Sequence, residues 1–381
     1  MLRPMPPLPR RSPSAPAPGT AGVAPRVPEQ MLAAVYHGKD DVRVEQVPVP
    51  RLEPGEVLVK VAACGVCGTD LKKVQQGVLA PPRVFGHETA GTIAAVAPGV
   101  EVWQPGQRVA VYHHIPDRTS WYSQRGLYAQ CPRYKQVGVT AGFTPAGGGF
   151  SEYVRVMPWV VQGGGLVPLP PDATWDEAVF VEPVNTCLKG VRMLDIDEDD
   201  VVLVAGLGSV GLLLLQLAQR EGARVVAADP LAGRRAMAAR LGAVRTVDPR
   251  AEDIHEACLA LTEGRGADRA IVAAVGAGPV RDTIRATRPG ATILLFAQTH
   301  RGDEVAVDVG DLCIDEKRVV GSYSASVDLA DEAAQIVFRR AIDVASLVTH
   351  RVPLAEAPRA FRLASTPSDD VLKVVVHAPG A

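Results

Sequence analysis

The chain has 381 residues, 47% of them apolar, and a formal charge of −2 at pH 7. That length allows two domains and a large core, and so even a charge balance offers no electrostatic footprint for nucleic acid or an anionic membrane surface. No apolar stretch approaches the ~20 residues needed to span a bilayer, and six cysteines without an apolar leader predict a reducing, cytoplasmic setting rather than a disulfide framework.

Residues 1–30, MLRPMPPLPRRSPSAPAPGTAGVAPRVPEQ, hold nine of the 32 prolines and no aromatic residue. They offer too little apolar surface to offset chain entropy and are expected to be a disordered tail, either a start-codon artefact or a dispensable extension. Arg10-Arg11 lacks the apolar stretch that an export signal would need. From Met31, MLAAVYHGKDDVRVEQVPVP reads as a first strand. The pattern then stays β-rich to about Pro171, with EVLVKVAACGV, ETAGTIAAV, QRVAVYH and FSEYVRV as short β-branched runs between Pro-Gly and Gly-Gly turns.

One of these runs ends in CGVCGTD (64–70). Two cysteines three apart can be half of a zinc knuckle, a redox pair or two small buried thiols. A redox pair should open a helix within a βαβ unit, whereas this one closes a strand in β-rich sequence. GHETAGTIAAVAPGV (86–100) and VEPVNTCLKGV (181–191) follow further along the chain.

From about Asp200 the rhythm changes to strand and helix in alternation. VVLVAGLG leads into SVGLLLLQLAQREG and ARVVAADP into LAGRRAMAARLGA, followed by RAIVAAVG, VRDTIRATRPG and ATILLFAQ. Such alternation predicts a parallel, doubly wound sheet. Gly206, Gly208 and Gly211 form G-x-G-x-x-G between strand and helix, with Ser209 and Val210 opening the helix. The first glycine permits a tight turn, the second lets backbone approach a pyrophosphate, and the third allows close helix–strand packing. Asp229 ends the second strand, where a carboxylate can bind a ribose 2′-hydroxyl and repel a 2′-phosphate. This favours NAD(H) over NADP(H), with Arg234 and Arg235 close behind as the residues that weigh the other way. After Tyr323, LADEAAQIVFRRAI reads as an amphipathic helix and DVLKVVVHA as a closing strand.

Taken together, CGVCGTD, GHETAGTIAAVAPGV, VEPVNTCLKGV and VAGLGSVG resemble the zinc-dependent medium-chain dehydrogenases, in the branch of polyol (sorbitol-type) and threonine dehydrogenases. The resemblance runs from about residue 31 to 381. It implies an α/β protein in two parts: a GroES-like β-rich catalytic domain over 31–184 and 324–381, and a Rossmann NAD-binding domain over 185–323. It makes Cys67 and His87 the constant ligands of one catalytic zinc, with Glu88 and Glu182 competing for the third place. Asp70 matches a residue that orients the histidine ligand. Cys64 falls where the family carries varied small residues and reads as an inert buried thiol. The activity implied is reversible oxidation of a secondary alcohol, a polyol, cyclitol or amino alcohol, by NAD(H), with Thr69 passing the alcohol proton outward.

Two departures from the family stand out. Relatives often carry four cysteines around a structural zinc, and the matching positions here are Asp117, Ser120, Ser123 and Cys131. Hydroxyls are poor zinc ligands, so the structural zinc is expected to be absent and the lobe to be held by packing of Trp121, Tyr122, Tyr128 and Tyr134. Lys72 stands where relatives often end a proton relay in histidine. The other histidines (37, 113, 114, 255, 300, 350 and 377) read as core or surface residues rather than ligands, and Asn185 and Cys187 receive no role. The family's oligomers imply a homodimer or homotetramer paired through the edge of the nucleotide domain, with residues 291–298 as the candidate strand. Partners other than a small alcohol or ketone are not expected. A zinc-free reductase or simple alcohol dehydrogenase of the same superfamily, and a non-catalytic NAD-binding protein, remain as alternatives; the complete set of Cys67, His87, Glu88 and Glu182 speaks for an active zinc enzyme.

Overall fold

A computed structural model describes residues 27–381 apart from 78, 113, 133, 135–146, 298–301 and 381. The proline-rich stretch as far as residue 26, His113 and His300 lie outside the described residues. The described residues divide into two compact units: Thr186–Tyr323 with Ser368–Asp370, and residues 27–185 with Ser324–Pro367 and residues 371–380.

In the second of these units, the stretch expected as one strand is a hairpin. β1 (Gln30–Gly38) and β2 (Asp41–Pro48) pair antiparallel. Gly38 (φ 149°) and Asp40 (φ 57°) supply the positive dihedrals of the tight turn between them. Next come β3 (Val57–Gly65), the helix α1 (Gly68–Gln76), β4 (Arg83–Val84), β5 (Glu88–Val96), β6 (Arg108–Val111), β7 (Tyr153–Val156) and β8 (Leu166–Pro168). The helix α2 (Val181–Arg192) leads out of this unit, and β15 (Val348–Pro353) and β16 (Lys373–His377) return to it. The main sheet runs β15-β16-β3-β5-β6-β8, with β7 also on β3, and β4 pairs with β1. β3, sequence VLVKVAACG, is buried at every position but Lys60, as a strand covered on both faces must be. Tyr36, Phe85, Phe150 and Phe361 pack a core with Cys64, Val352 and Val374.

The other unit holds β9 (Val201–Ala205), β10 (Arg224–Ala228), β11 (Arg245–Val247), β12 (Ala267–Val272), β13 (Thr287–Leu295) and β14 (Arg318–Gly321). All pair in parallel, in the order β11-β10-β9-β12-β13-β14. The direction of winding reverses between β9 and β12, which makes the sheet doubly wound. The helix α3 (Ser209–Arg220) follows β9 and is buried along Gly211–Ala218. The strand ATILLFAQ is not an edge: β13 has β12 on one side and β14 on the other. The edge is the four-residue RVVG of β14, too short to stand out by pattern.

Candidate metal and dinucleotide sites

The metal-capable group grows from the register of β3 and β5. Gly65, the last residue of β3, lies opposite Glu88, the first of β5. Cys67 just beyond one strand and His87 just before the other therefore meet at one end of the sheet. Cys67 is also the N-cap of α1: its Sγ accepts from Thr69 N at 3.5 Å, and its own N–H donates to Asp70 Oδ2 at 3.1 Å, a capping box. The other Asp70 oxygen, Oδ1, is 3.3 Å from His87 Nδ1. Asp70 is fully buried and so fixes both the helix start and the imidazole.

Cys67 Sγ, a His87 ring nitrogen and a Glu88 carboxylate oxygen all lie within 4.8 Å of one another. Burial disfavours charge on His87, but Asp70 and Cys67 outweigh it and raise its pKa. Thiolate, imidazole and carboxylate together suit zinc, and a carboxylate behind the imidazole is the arrangement that aims a metal-binding histidine. The donor set fits the ion.

Glu88 forms an ion pair with Lys373, a buried lysine whose Nζ also donates to Val66 O at 3.2 Å. Burial raises the Glu88 pKa and the nearby Glu182 adds to it, while Lys373 opposes. Gly65 makes this pair possible: a Cβ there would fall 2.0 Å from Glu88 Oε2 and 2.8 Å from Lys373 Cε.

Glu182 stands apart from the group of three. It is buried in the first turn of α2, and its Oε1 lies 2.5 Å from His114 Nε2. Burial would raise its pKa, but His114, with His87 and Lys373 further off, lowers it. The sequence carried no signal for this partnership, because the histidine is 68 residues away. His37 pairs with Glu45 and His377 with Asp176.

Cys64 is fully buried, and burial pushes its thiol far up, in keeping with an inert side chain. Thr69 and Lys72 are both partly buried on α1. It is the neighbouring Lys73 whose pKa burial lowers, to about 8, a residue the sequence gave no reason to single out.

The lobe at Asp117–Cys131 is not held as expected. Trp121 and Tyr122 are exposed, at 59% and 42%, and Tyr128 donates its hydroxyl to Asp328 at 2.7 Å; of the four aromatics only Tyr134 is buried, against Cys131. The four positions that match the family's cysteines are instead joined by hydrogen bonds. Asp117 Oδ1 accepts from Thr119 N and Ser120 N at 3.0 Å and from Ser123 Oγ at 3.1 Å. Ser120 Oγ donates to Ser123 Oγ at 2.9 Å, and Asp117 N donates to Cys131 Sγ at 3.4 Å. Burial pushes the Asp117 carboxyl up, but the Ser120 and Thr119 N–H groups, with Cys131 and Ser123, together outweigh it and bring the carboxyl down to about 2.

In the doubly wound unit, the three glycines differ in what requires them. Gly206 has φ +99°, and a Cβ there would strike Ala274 N at 2.7 Å. One on Gly211 would fall 1.9 Å from Gly206 O. Gly208, the N-cap of α3, has only Arg234 Nη1 within 4 Å, at 3.9 Å. The protein itself has no packing need for glycine there; the open space before the helix N-terminus fits the phosphates of a dinucleotide. Ser209 and Val210 begin the helix. Asp229 is buried, its Oδ2 accepting from Leu207 N and its Oδ1 from Leu231 N, both at 2.8 Å, with Arg234 Nη1 3.7 Å away. Each carboxylate oxygen keeps a second lone pair for a ligand.

Residues 53–170 match the family described as alcohol dehydrogenase GroES-like domain, and residues 209–340 match zinc-binding dehydrogenase. Sorbitol dehydrogenase of Bacillus subtilis (strain 168) is 26% identical over 357 residues, 92% of this chain and 98% of its own. The (R,R)-butanediol dehydrogenase of the same strain is 30% identical over 305 residues, 76% of this chain and 84% of its own. The solved structure of a Sinorhizobium meliloti 1021 protein described as a zinc-binding dehydrogenase, bound to NADP, matches with TM-score 0.82 at 29% identity, covering 91% of this chain and 99% of that one. The chain belongs to the zinc-dependent medium-chain dehydrogenases, in their polyol dehydrogenase branch, and is an alcohol oxidoreductase. Among the described residues, no helix is long and apolar enough to cross a membrane.

Proposed function

We propose that this protein is a zinc-dependent dehydrogenase that moves a hydride between NAD(H) and a polyhydroxylated or amino-hydroxylated secondary alcohol. The observation that carries the reading is the meeting of Cys67, His87 and Glu88 within 4.8 Å, with Asp70 behind the histidine. Cys67 and His87 would hold one zinc ion per chain, with a carboxylate from Glu88 or Glu182 nearby. When bound, zinc supplies Lewis acidity toward the substrate oxygen and the nicotinamide supplies the hydride acceptor.

The chain's own residues do the rest. Asp70 keeps the His87 ring in one orientation, and the α1 cap keeps Cys67 Sγ in place. Thr69 Oγ1 accepts the alcohol proton while giving up its own, and Lys72 on the same helix receives that proton when its side chain is the neutral amine. Gly208 and the α3 N-terminus seat the pyrophosphate, and Asp229 with Arg234 sets the choice of cofactor. NAD(H) is proposed because a buried carboxylate at the end of β10 disfavours a 2′-phosphate, although the S. meliloti relative holds NADP. The setting is the cytoplasm, and the working form is a homodimer or homotetramer.

The deciding experiment is NAD+ reduction over a panel of polyols, cyclitols, amino alcohols and simple alcohols. Chelator-stripped protein should be inactive and should recover with Zn2+; turnover that ignores stripping would sink the zinc reading. Faster turnover with NADP+ would reverse the cofactor reading. Lys72→Ala should shift the pH–rate profile, and an unchanged profile would remove Lys72 from the proton path.

A further inference from the structure

A second set of buried polar groups stands beside the metal-capable residues, and its histidine has no role in the mechanism above. His114, three residues beyond β6, is 5% exposed. Both of its ring nitrogens are engaged. Nε2 is 2.5 Å from Glu182 Oε1, while Nδ1 is 2.5 Å from Tyr134 Oη and 2.8 Å from Ser324 Oγ. The two hydroxyls also meet each other. A neutral ring satisfies all of these contacts: Nε2–H donates to Glu182, Nδ1 accepts from one hydroxyl, and the other hydroxyl donates to the first. The base on which the ring rests is itself fixed. Asn185, three residues after Glu182 on α2, donates Nδ2 to Ser326 O at 3.0 Å and accepts from Ser326 N at 2.9 Å through Oδ1. Residues 324–326 are thus tied to both His114 and α2.

Two buried glutamates therefore have different holders. Glu88 pairs with Lys373 and still meets Cys67 and His87. Glu182 is held by the His114 ring, whose other nitrogen meets Tyr134 and Ser324. We infer that His114 is a positioning residue for the metal centre: it clasps Glu182 through Nε2 and keeps that carboxylate outside the donor group, leaving Glu88 to join Cys67 and His87. Tyr134 and Ser324 act through His114 by fixing its tautomer and tilt. The inference rests on the zinc reading, and it decides between the two glutamates that the sequence left in competition.

Full-length protein loaded with Co2+ in place of zinc tests it through the visible ligand-field bands and a chelator-competition affinity. In the parent, Glu88→Gln should weaken Co2+ binding more than Glu182→Gln does. His114→Ala should shift the bands and change the affinity about tenfold or more, the range typical of groups that hold a metal ligand from behind. That shift should vanish in a Glu182→Gln background, because His114 acts only through Glu182, and His114→Gln, which can still donate an N–H, should restore most of the parent spectrum. Parent-like bands and affinity in His114→Ala would overturn the proposal, as would a shift that persists undiminished with Glu182→Gln. If His114→Ala fails to fold, Tyr134→Phe and Ser324→Ala take its place: a band shift in either supports the clasp, and parent spectra in both overturn it. A parent protein that takes up no Co2+ would overturn the zinc reading as well, whereas a metal-binding parent with an indifferent His114→Ala overturns this inference alone.

Discussion

Lys73 carries its charge where the fold disfavours it. Burial lowers its pKa from 10.5 to about 8; Asp70 opposes that fall and Arg83 adds to it. Between those values the unfolded chain holds a proton that the folded chain has lost, so stability rises with pH across that window; below about 8 both states are protonated and the full penalty stands. Lys73→Met should therefore melt higher than the parent at pH 7, with the gap closing as pH climbs from about 8 to 10.5; a constant gap in melting scans would show that charge is not the cause. This residue also marks the boundary of what the sequence could say. Cys67, Asp70, His87 and Glu88 were named from the resemblance carried by CGVCGTD and GHETAG, and the shared end of β3 and β5 is what brings them together. The partners of the two glutamates, Lys373 and His114, come from distant segments, and only sheet register and helix placement bring them in. Nothing in the residues around position 114 marks it as different from His37 or His377.

At the level of single elements, the glycine turn after β9 separates fold from function. Gly211→Ala places a methyl group against Gly206 O and should cost about 1–3 kcal/mol in urea unfolding. Gly208→Val meets open space and should leave the unfolding curve unchanged. It should weaken NAD+ binding by calorimetry by about tenfold or more, on the order of 1.4 kcal/mol. Equal damage to stability from both changes would mean that the turn is a packing feature only. The lobe at Asp117–Cys131 makes a similar point about substitution. Asp117 gathers three donors on one oxygen, and in this partly exposed setting Asp117→Ala should cost about 1 kcal/mol. The zinc content by mass spectrometry should stay at one per chain, and two per chain in the parent would mean that the lobe does hold metal. The aromatic residues were a poor guide here, since a Trp-Tyr pair in a lobe can lie on the surface as easily as under it. Hydrogen-bond closure among short polar side chains has no sequence period to betray it. The β1–β2 hairpin was hidden for a related reason: its turn depends on backbone dihedrals at Gly38 and Asp40 rather than on an Asn-Gly pair.

For the whole molecule, the doubly wound unit ends at β14, a short strand with Val319 exposed, preceded in the chain by Ile314 at 83% exposure and Val309 at 70%. An open strand edge beside apolar side chains invites pairing with another chain, and it is the edge through which the proposed homodimer or homotetramer would pair. Val319→Lys combined with Ile314→Asp should shift sedimentation toward a smaller species; an unchanged size would exclude this edge from the interface. The alternation of strand and helix made the doubly wound sheet legible at this scale, and the motif order made the two-part plan legible. The terminal strand was not, because four residues are too few to carry a pattern.

The opposition of Gly65 and Glu88 across β3 and β5 reaches beyond the chemistry it serves. A slip of one residue between those strands would turn every side chain to the other face and carry the sulfur away from the imidazole. On the zinc reading proposed above, a mispaired chain would have nowhere to put the ion. Metal supplied during refolding would thus act as a proofreader, drawing molecules by mass action toward the one pairing able to capture it.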